Sequence, residues 1–163
     1  NPNTYTSQVQ VKINDHYRGF FQIPHDYRLG IKDMMASFSK RFRIFLLSGD
    51  NDSEKKNLNK IFANENNLLF NQTPFDKLNF VKKIQHESGK VLMIGDGLND
   101  AGALKQSDVG ISISEDINTF TPASDAILDG EEFRYLPKFL KFSQASERLS
   151  FFLFYLFVHY PNY

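Results

Sequence analysis

Three short groups of residues, taken in chain order, carry the functional groups that a phosphate and a hard cation require. They are Ser48-Gly49-Asp50, then Lys77, then Gly95-Asp96-Gly97-Leu98-Asn99-Asp100. Magnesium prefers carboxylate oxygen and retains several waters, so Asp96 on a tight glycine turn suits it. Lys77 offers a mobile point charge for a phosphoryl group, and the Ser48 hydroxyl and Gly49 amide can donate to its oxygens. Each of these groups neutralises charge that moves during phosphoryl transfer. Each also has a plainer account. A lone Ser-Gly-Asp is most often a turn, and Lys77 shares its segment with Lys82 and Lys83, as a solvated basic helix face would. The Gly95–Asp100 stretch is the sharper signal, because glycines flanking an aspartate at a strand end mark a backbone under special demands. His16, His25, His86 and His159 share no metal-ligand spacing.

The elements that would present these groups alternate along the chain. Gln8 to Ile13 and Gly19 to Ile23 read as a hairpin around Asn14-Asp15-His16-Tyr17. Leu29 to Lys40 places Ile31, Met34, Met35 and Phe38 at helical spacing, and Phe42 to Leu47 reads as a buried strand. Asp52 or Ser53 can cap a helix over Glu54 to Ala63, followed by a short strand at Leu68 to Phe70. Thr73-Pro74 opens a third helix that Gly89 ends. Strands at Val91–Ile94, Val109–Ser112 and Ala126–Leu128 follow, with a helix over Asn99–Lys105. A long helix runs from Pro137 through the Phe-rich run Phe151 to Val158. Short apolar strands separated by amphipathic helices predict an α/β fold with a parallel sheet and a ligand site at the carboxyl ends of its strands.

The 163 residues suffice for one domain with a real core. Acidic and basic residues balance at 19 each, so no strong field points to nucleic acid as partner. The absence of cysteine excludes disulfides and thiolate metal sites within the chain. Asn1 in place of methionine, with no basic and apolar leader behind it, reads as a cut or processed end. The Phe-rich run is about half the roughly 20 residues of a bilayer span before His159, Pro161 and Asn162 interrupt it, so on hydropathy alone it reads as a buried terminal helix.

The stretch Met93-Ile94-Gly95-Asp96-Gly97-Leu98-Asn99-Asp100-Ala101-Gly102-Ala103-Leu104, followed by Ser107-Asp108-Val109-Gly110-Ile111, resembles the hinge motif of P-type ATPases within the haloacid dehalogenase superfamily. Leu46-Leu47-Ser48-Gly49-Asp50-Asn51 resembles the second phosphate-binding motif, with Ser where many members carry Thr, and Pro74-Phe75-Asp76-Lys77 resembles the invariant-lysine segment. Asp26 and Arg28 resemble an Asp-x-x-Arg element with one residue fewer between them. Order and spacing match from about Val9 onward, and the pattern is most similar to heavy-metal pumps, particularly the copper pumps of cytochrome oxidase assembly.

The resemblance implies a Rossmann-like parallel sheet, incomplete at the N-terminus, with a C-terminal helix leading to the membrane. Residues 1–23 would be the end of a nucleotide-binding domain or an entry hairpin, 24–136 a partial phosphorylation domain, and 137–163 a long helix starting a transmembrane segment. The parent would be an ATP-driven transporter of a heavy-metal ion, copper(I) by analogy. It would be a membrane protein touching the lipid bilayer at that last helix, with this portion on the cytoplasmic side. Catalysis would fall to Lys77, Ser48, Gly49 and Asp50. Ser48, Gly49, Lys77 and Asn99 would bind ATP, and Asp96 with Asp100 would hold Mg2+. The family's nucleophile lies in an Asp-Lys-Thr-Gly-Thr motif that this sequence does not contain, so the chain alone would be inactive. Tyr160-Pro161-Asn162-Tyr163 departs from the Tyr-Asn pair usual in copper pumps. Two other readings compete: a stand-alone phosphatase of the same superfamily, which would need its own nucleophile, and a non-catalytic relic, against which the joint retention of Ser48, Lys77, Asp96 and Asp100 argues.

Overall fold

The computed structural model describes the backbone of residues 6–24, 27–62, 64–87, 89–96, 98–115 and 123–159, and the side chains of these apart from 6–8, 23–24 and 151–159. The chain forms two compact units, Asn1–Lys77 and Leu78–Tyr163.

The first unit opens with the antiparallel hairpin β1 (Thr6–Ile13) and β2 (His16–Pro24). Its turn is tighter than the sequence suggested. Asn14 and Asp15 take φ of 50° and 60°, the two left-handed positions of the primed turn that matches strand twist, so His16 and Tyr17 already belong to β2. Val11 faces Gly19 while Lys12 faces Tyr17, which leaves Arg18 as a bulge beside Gly19 at φ 139°. Helix α1 (Ile31–Phe38) follows a left-handed Gly30 and buries Met34. The turn then continues past the helix, with both Arg41 N–H and Phe42 N–H donating to Phe38 O. That continuation takes Phe42, the first residue of the expected strand, and β3 is limited to Leu46–Leu47. The next helix is shorter than expected as well: a 3-10 turn over Asp52–Glu54 leads into α2 (Lys55–Leu58). The capping group is Asn51 rather than Asp52 or Ser53, through Ser53 N–H to Asn51 Oδ1 at 3.1 Å, and Asn57 and Asn59 give little support to further helix. β4 (Leu68–Leu69) pairs parallel with β3. Buried Ile61 and Leu68 join Met34 in a small core.

Helix α3 (Pro74–His86) starts at the proline the sequence marked. Its end is closed by Gly89, whose N–H returns to Ile84 O at 3.0 Å. A Cβ at Gly89 would lie 2.9 Å from that oxygen, so only glycine fits this close approach.

In the second unit β5 (Leu92–Gly95), α4 (Ala101–Gln106), β6 (Val109–Ser114) and β7 (Ala126–Asp129) build a three-stranded parallel sheet in the order β5-β6-β7. A 3-10 segment over Gly130–Tyr135 leads into α5 (Leu136–His159). Leu104 and Leu136 are essentially sealed from solvent, with Val81, Ala103, Leu128 and Phe133 also buried. Helix α4 sits so tightly on β6 that a Cβ at Gly110 would meet Leu104 O at 2.5 Å. The sequence-derived α/β class with parallel pairing is what the fold contains. Among the described residues no helix is long and apolar enough to cross a membrane, and the side chains of the Phe-rich run lie outside the described residues.

Candidate functional site

Ser48-Gly49-Asp50 follows β3 directly, at the carboxyl end of a parallel strand, and the segment after β4 is stitched to it. Ser48 N–H donates to Leu69 O at 2.8 Å, Gln72 N–H to Ser48 O at 2.8 Å, and Asn71 N–H to Asp50 O at 2.8 Å. Asn71 reaches that bond from the left-handed region at φ 55°, which asparagine tolerates better than most residues. The loop also closes on itself, since Asp50 N–H donates to Ser48 Oγ at 3.1 Å and that hydroxyl lies 3.4 Å from Asp50 Oδ2. A Cβ at Gly49 would approach Gln72 O to 3.4 Å. The two strand-end loops therefore form one cross-braced surface, with the Ser48 hydroxyl and the exposed Gly49 and Asp50 at its edge.

Lys77 lies four residues beyond Thr73 in the first turn of α3. That turn is held by a reciprocal cap in which Thr73 Oγ1 and Thr73 N–H donate to Asp76 Oδ2 at 2.6 and 3.0 Å, while Asp76 N–H donates back to Thr73 Oγ1 at 3.2 Å. The Thr73 bonds hold the Asp76 carboxyl below its ordinary range. Lys77 is only 8% exposed, whereas Lys82 and Lys83 lie open to solvent. The solvated-face account thus fits the latter two and fails for Lys77. Lysine is rarely so enclosed unless it is paired.

In the second unit Asp96 leaves β5 exposed to solvent, with Leu98 and Asn99 exposed beyond it. Asp100 stands at the N-cap position of α4, 8% exposed. A Cβ on Gly95 would lie 2.8 Å from Asp100 Cβ and 2.9 Å from its carboxyl carbon. Glycine is required there for room, and the contact fixes Asp100 against the end of β5. Two aspartates, one exposed and one enclosed, offer the hard oxygen donors that Mg2+ accepts alongside its waters. Among the described residues no group of three or more His, Asp or Glu side chains could hold a metal ion. Gly97 and Asp26 lie outside the described residues.

Residues 1–108 match the family model for haloacid dehalogenase-like hydrolases. The chain belongs to that family. Within it, the chain is 30% identical over 145 residues to a copper-transporting ATPase of Helicobacter pylori, an alignment that covers 87% of this chain and 19% of that protein. It is 28% identical over 141 residues to a cadmium/zinc-transporting ATPase of Arabidopsis thaliana, covering 85% of this chain and 15% of that one. The catalytic domain of the CPx-ATPase CopB-B, solved in work on conformational changes upon nucleotide binding, superposes with a TM-score of 0.60 at 27% identity, covering 82% of this chain and 61% of that domain. A zinc-transporting PIB-type ATPase in its E2.Pi state shares the fold at TM-score 0.66 and 22% identity, covering 88% and 23%. The chain spans about a fifth of the length of the curated relatives it matches. The haloacid dehalogenase-like fold and the heavy-metal ATPase resemblance read from the motifs agree with these relatives.

For this haloacid dehalogenase-like chain, sequence reasoning missed the residues that brace the site. Asp76 was legible as the second half of a Thr-x-x-Asp capping box. The braces at Asn71 and Gln72 depend on backbone pairing that no residue type announces. A bond from Tyr27 to Glu54 spans 27 positions of sequence and has no local signature.

Proposed function

We propose that this chain is the rear part of the phosphorylation domain of an ATP-driven heavy-metal cation transporter that works through an aspartyl-phosphate intermediate. The observation that carries the reading is the enclosed Lys77, set in a capped helix whose entry segment is hydrogen-bonded to the Ser48-Gly49-Asp50 loop. In this reading Ser48 Oγ and the Gly49 N–H donate to phosphoryl oxygens, and the Lys77 ammonium balances their charge. Asp50 orders the loop through its bonds to Ser48, and Asn99 contributes to nucleotide-phosphate binding. Asp96 and Asp100 would hold Mg2+, whose chemistry when bound is charge neutralisation in phosphoryl transfer. Gly95 keeps Asp100 in position. The nucleophilic aspartate belongs to an Asp-Lys-Thr-Gly-Thr motif that this sequence lacks, so the 163 residues alone bind phosphate without turning over ATP.

The transported ion is copper(I) by likeness to the copper-transporting relatives, and ATP is the energy source. Residues 1–23 would be the end of a nucleotide-binding domain or an entry hairpin, 24–136 a partial phosphorylation domain, and 137–163 the start of a transmembrane segment, with the catalytic portion on the cytoplasmic side.

The test joins this chain to its upstream coding sequence and measures ATP-dependent phosphorylation in membranes with and without copper(I). Acid-stable, hydroxylamine-sensitive phosphate that requires metal and is impaired by Lys77→Ala or Asp96→Ala supports the reading. A folded protein that forms no phosphoenzyme with any heavy metal overturns it.

A further inference from the structure

The Ser48-Gly49-Asp50 loop is braced by β4 on one side, and its distal end is tied to a remote segment. Beyond Asn51 the chain enters the 3-10 turn, where Glu54 Oε2 accepts the Tyr27 hydroxyl at 2.8 Å and Asn57 Nδ2 at 3.2 Å. Among the described residues, Glu54 Oε1 is buried with no hydrogen-bond partner. A buried carboxylate oxygen without a donor is unfavourable, so the hydrogen bonding of this carboxylate rests on the two donors at Oε2. Asp52 and Glu54 put two more carboxylates in the four residues after Asp50, following a loop that would receive an anion. Each carboxylate free to approach that loop opposes phosphate binding.

We infer that Tyr27 is a positioning residue for phosphate binding: its hydroxyl, with Asn57, restrains the Glu54 carboxylate so that this charge does not approach the Ser48-Gly49-Asp50 loop. The inference rests on the phosphate-binding reading of that loop. Burial, then the bond and charge of Glu54, push the Tyr27 phenol up to about 12, so it remains a donor throughout the neutral range. The mechanism is electrostatic, which separates it from a simple structural tie. Freeing Glu54 weakens phosphate binding, and removing its charge restores it even when the hydroxyl is absent.

The test measures inorganic phosphate binding to the 163-residue chain in excess Mg2+, by amide chemical-shift titration, for the unaltered chain, Tyr27→Phe, Glu54→Gln and the double variant. Tyr27→Phe keeps the ring and is expected to raise the dissociation constant on the order of fivefold, the scale of one unit charge acting on a phosphate dianion at several ångströms through a water-like dielectric. The double variant returns to the unaltered affinity, and Glu54→Gln alone binds at least as well. Unchanged affinity in Tyr27→Phe overturns the inference, and so does a loss that Glu54→Gln does not rescue, since that outcome is an ordinary structural tie. A chain that binds no phosphate at all, with its amide spectrum intact, removes the underlying site reading and this inference with it. Binding that is present but indifferent to Tyr27 removes the inference alone.

Discussion

Gly95 and Gly102 lie seven residues apart, and replacing each by alanine is expected to have opposite effects. At Gly95 the new Cβ would sit 2.8 Å from Asp100 Cβ and 2.9 Å from its carboxyl carbon, where 3.4–4 Å is ordinary contact. Asp100 must retreat by roughly half an ångström or more, and it is enclosed at the start of α4, so the helix end moves with it; overpacking of this kind costs about 1–3 kcal/mol. In a chain of this size each kcal/mol moves the unfolding midpoint by about 2–4 °C. Because the displaced group is a proposed Mg2+ ligand, the metal affinity falls on the order of tenfold. At Gly102 the nearest atom to a new Cβ is Leu78 Cδ2 at 3.9 Å, and the position lies inside α4. Alanine there removes unfolded-state freedom without a clash and stabilises by about 0.5–1 kcal/mol, leaving Mg2+ binding unchanged. Thermal unfolding of both variants, with and without Mg2+, reads the two effects side by side. If Gly95→Ala unfolds at the unaltered temperature and binds Mg2+ normally, the close approach of Asp100 to the strand end is refuted.

Other expectations concern the braces. Thr73→Ala removes the reciprocal cap of α3 and is expected to cost about 1 kcal/mol by denaturant titration, together with a loss of phosphate affinity because Lys77 rides on that turn. Asp108 accepts Lys90 Nζ at 2.8 Å, Gln85 Nε2 at 3.1 Å and Val91 N–H at 3.0 Å, which hold its carboxyl well below the usual range. A depressed carboxyl stabilises above its unfolded value of about 4 and loses that contribution as pH falls further. Asp108→Asn should therefore flatten the acid limb of a stability–pH curve below about pH 4. Lys90→Ala should do so only in part, because its side chain is 90% exposed and two other donors remain. Leu104→Ala empties a fully buried position and is expected to destabilise by about 2–5 kcal/mol; a shift under 1 kcal/mol in denaturant would argue against tight packing of α4 on β6. Because the Tyr27 phenol is raised, its contribution is complete below pH 10 and is lost as pH climbs through about 12. Tyr27→Phe should thus remove one late phenolate step from an alkaline absorbance titration.

Much of the fold was legible where local chemistry decides it. Thr73-Pro74 opened α3 and Gly89 closed it as read, because caps and proline act within one turn. The strands of the second unit were found within two residues, since Met93, Ile94, Ile111 and Ile113 form short apolar runs bounded by glycine and polar turns. The first unit was read less well. The turn that carries α1 on to Phe42, and the Asn51 cap that shortens α2, follow from hydrogen bonds that compete with apolar patterning. The proposed site residues were drawn from the motifs, while the burial of Lys77 was not legible there, since three lysines on one helix look alike until the helix has a packed face. The tie from Tyr27 to Glu54 is a tertiary contact, beyond the reach of spacing rules.

If Ser48, Gly49 and Lys77 bind a phosphoryl group and Asp96 and Asp100 bind Mg2+, an amide chemical-shift map of the 163-residue chain titrated with Mg2+ and then with inorganic phosphate, repeated with Lys77→Ala, reads both directly. Saturable shifts are expected on residues 96–100 with Mg2+ and on residues 48–50 with phosphate, with the phosphate response lost in Lys77→Ala. Shifts centred elsewhere, such as the exposed basic face at Lys82, Lys83 and His86, or binding indifferent to Lys77, would contradict this assignment.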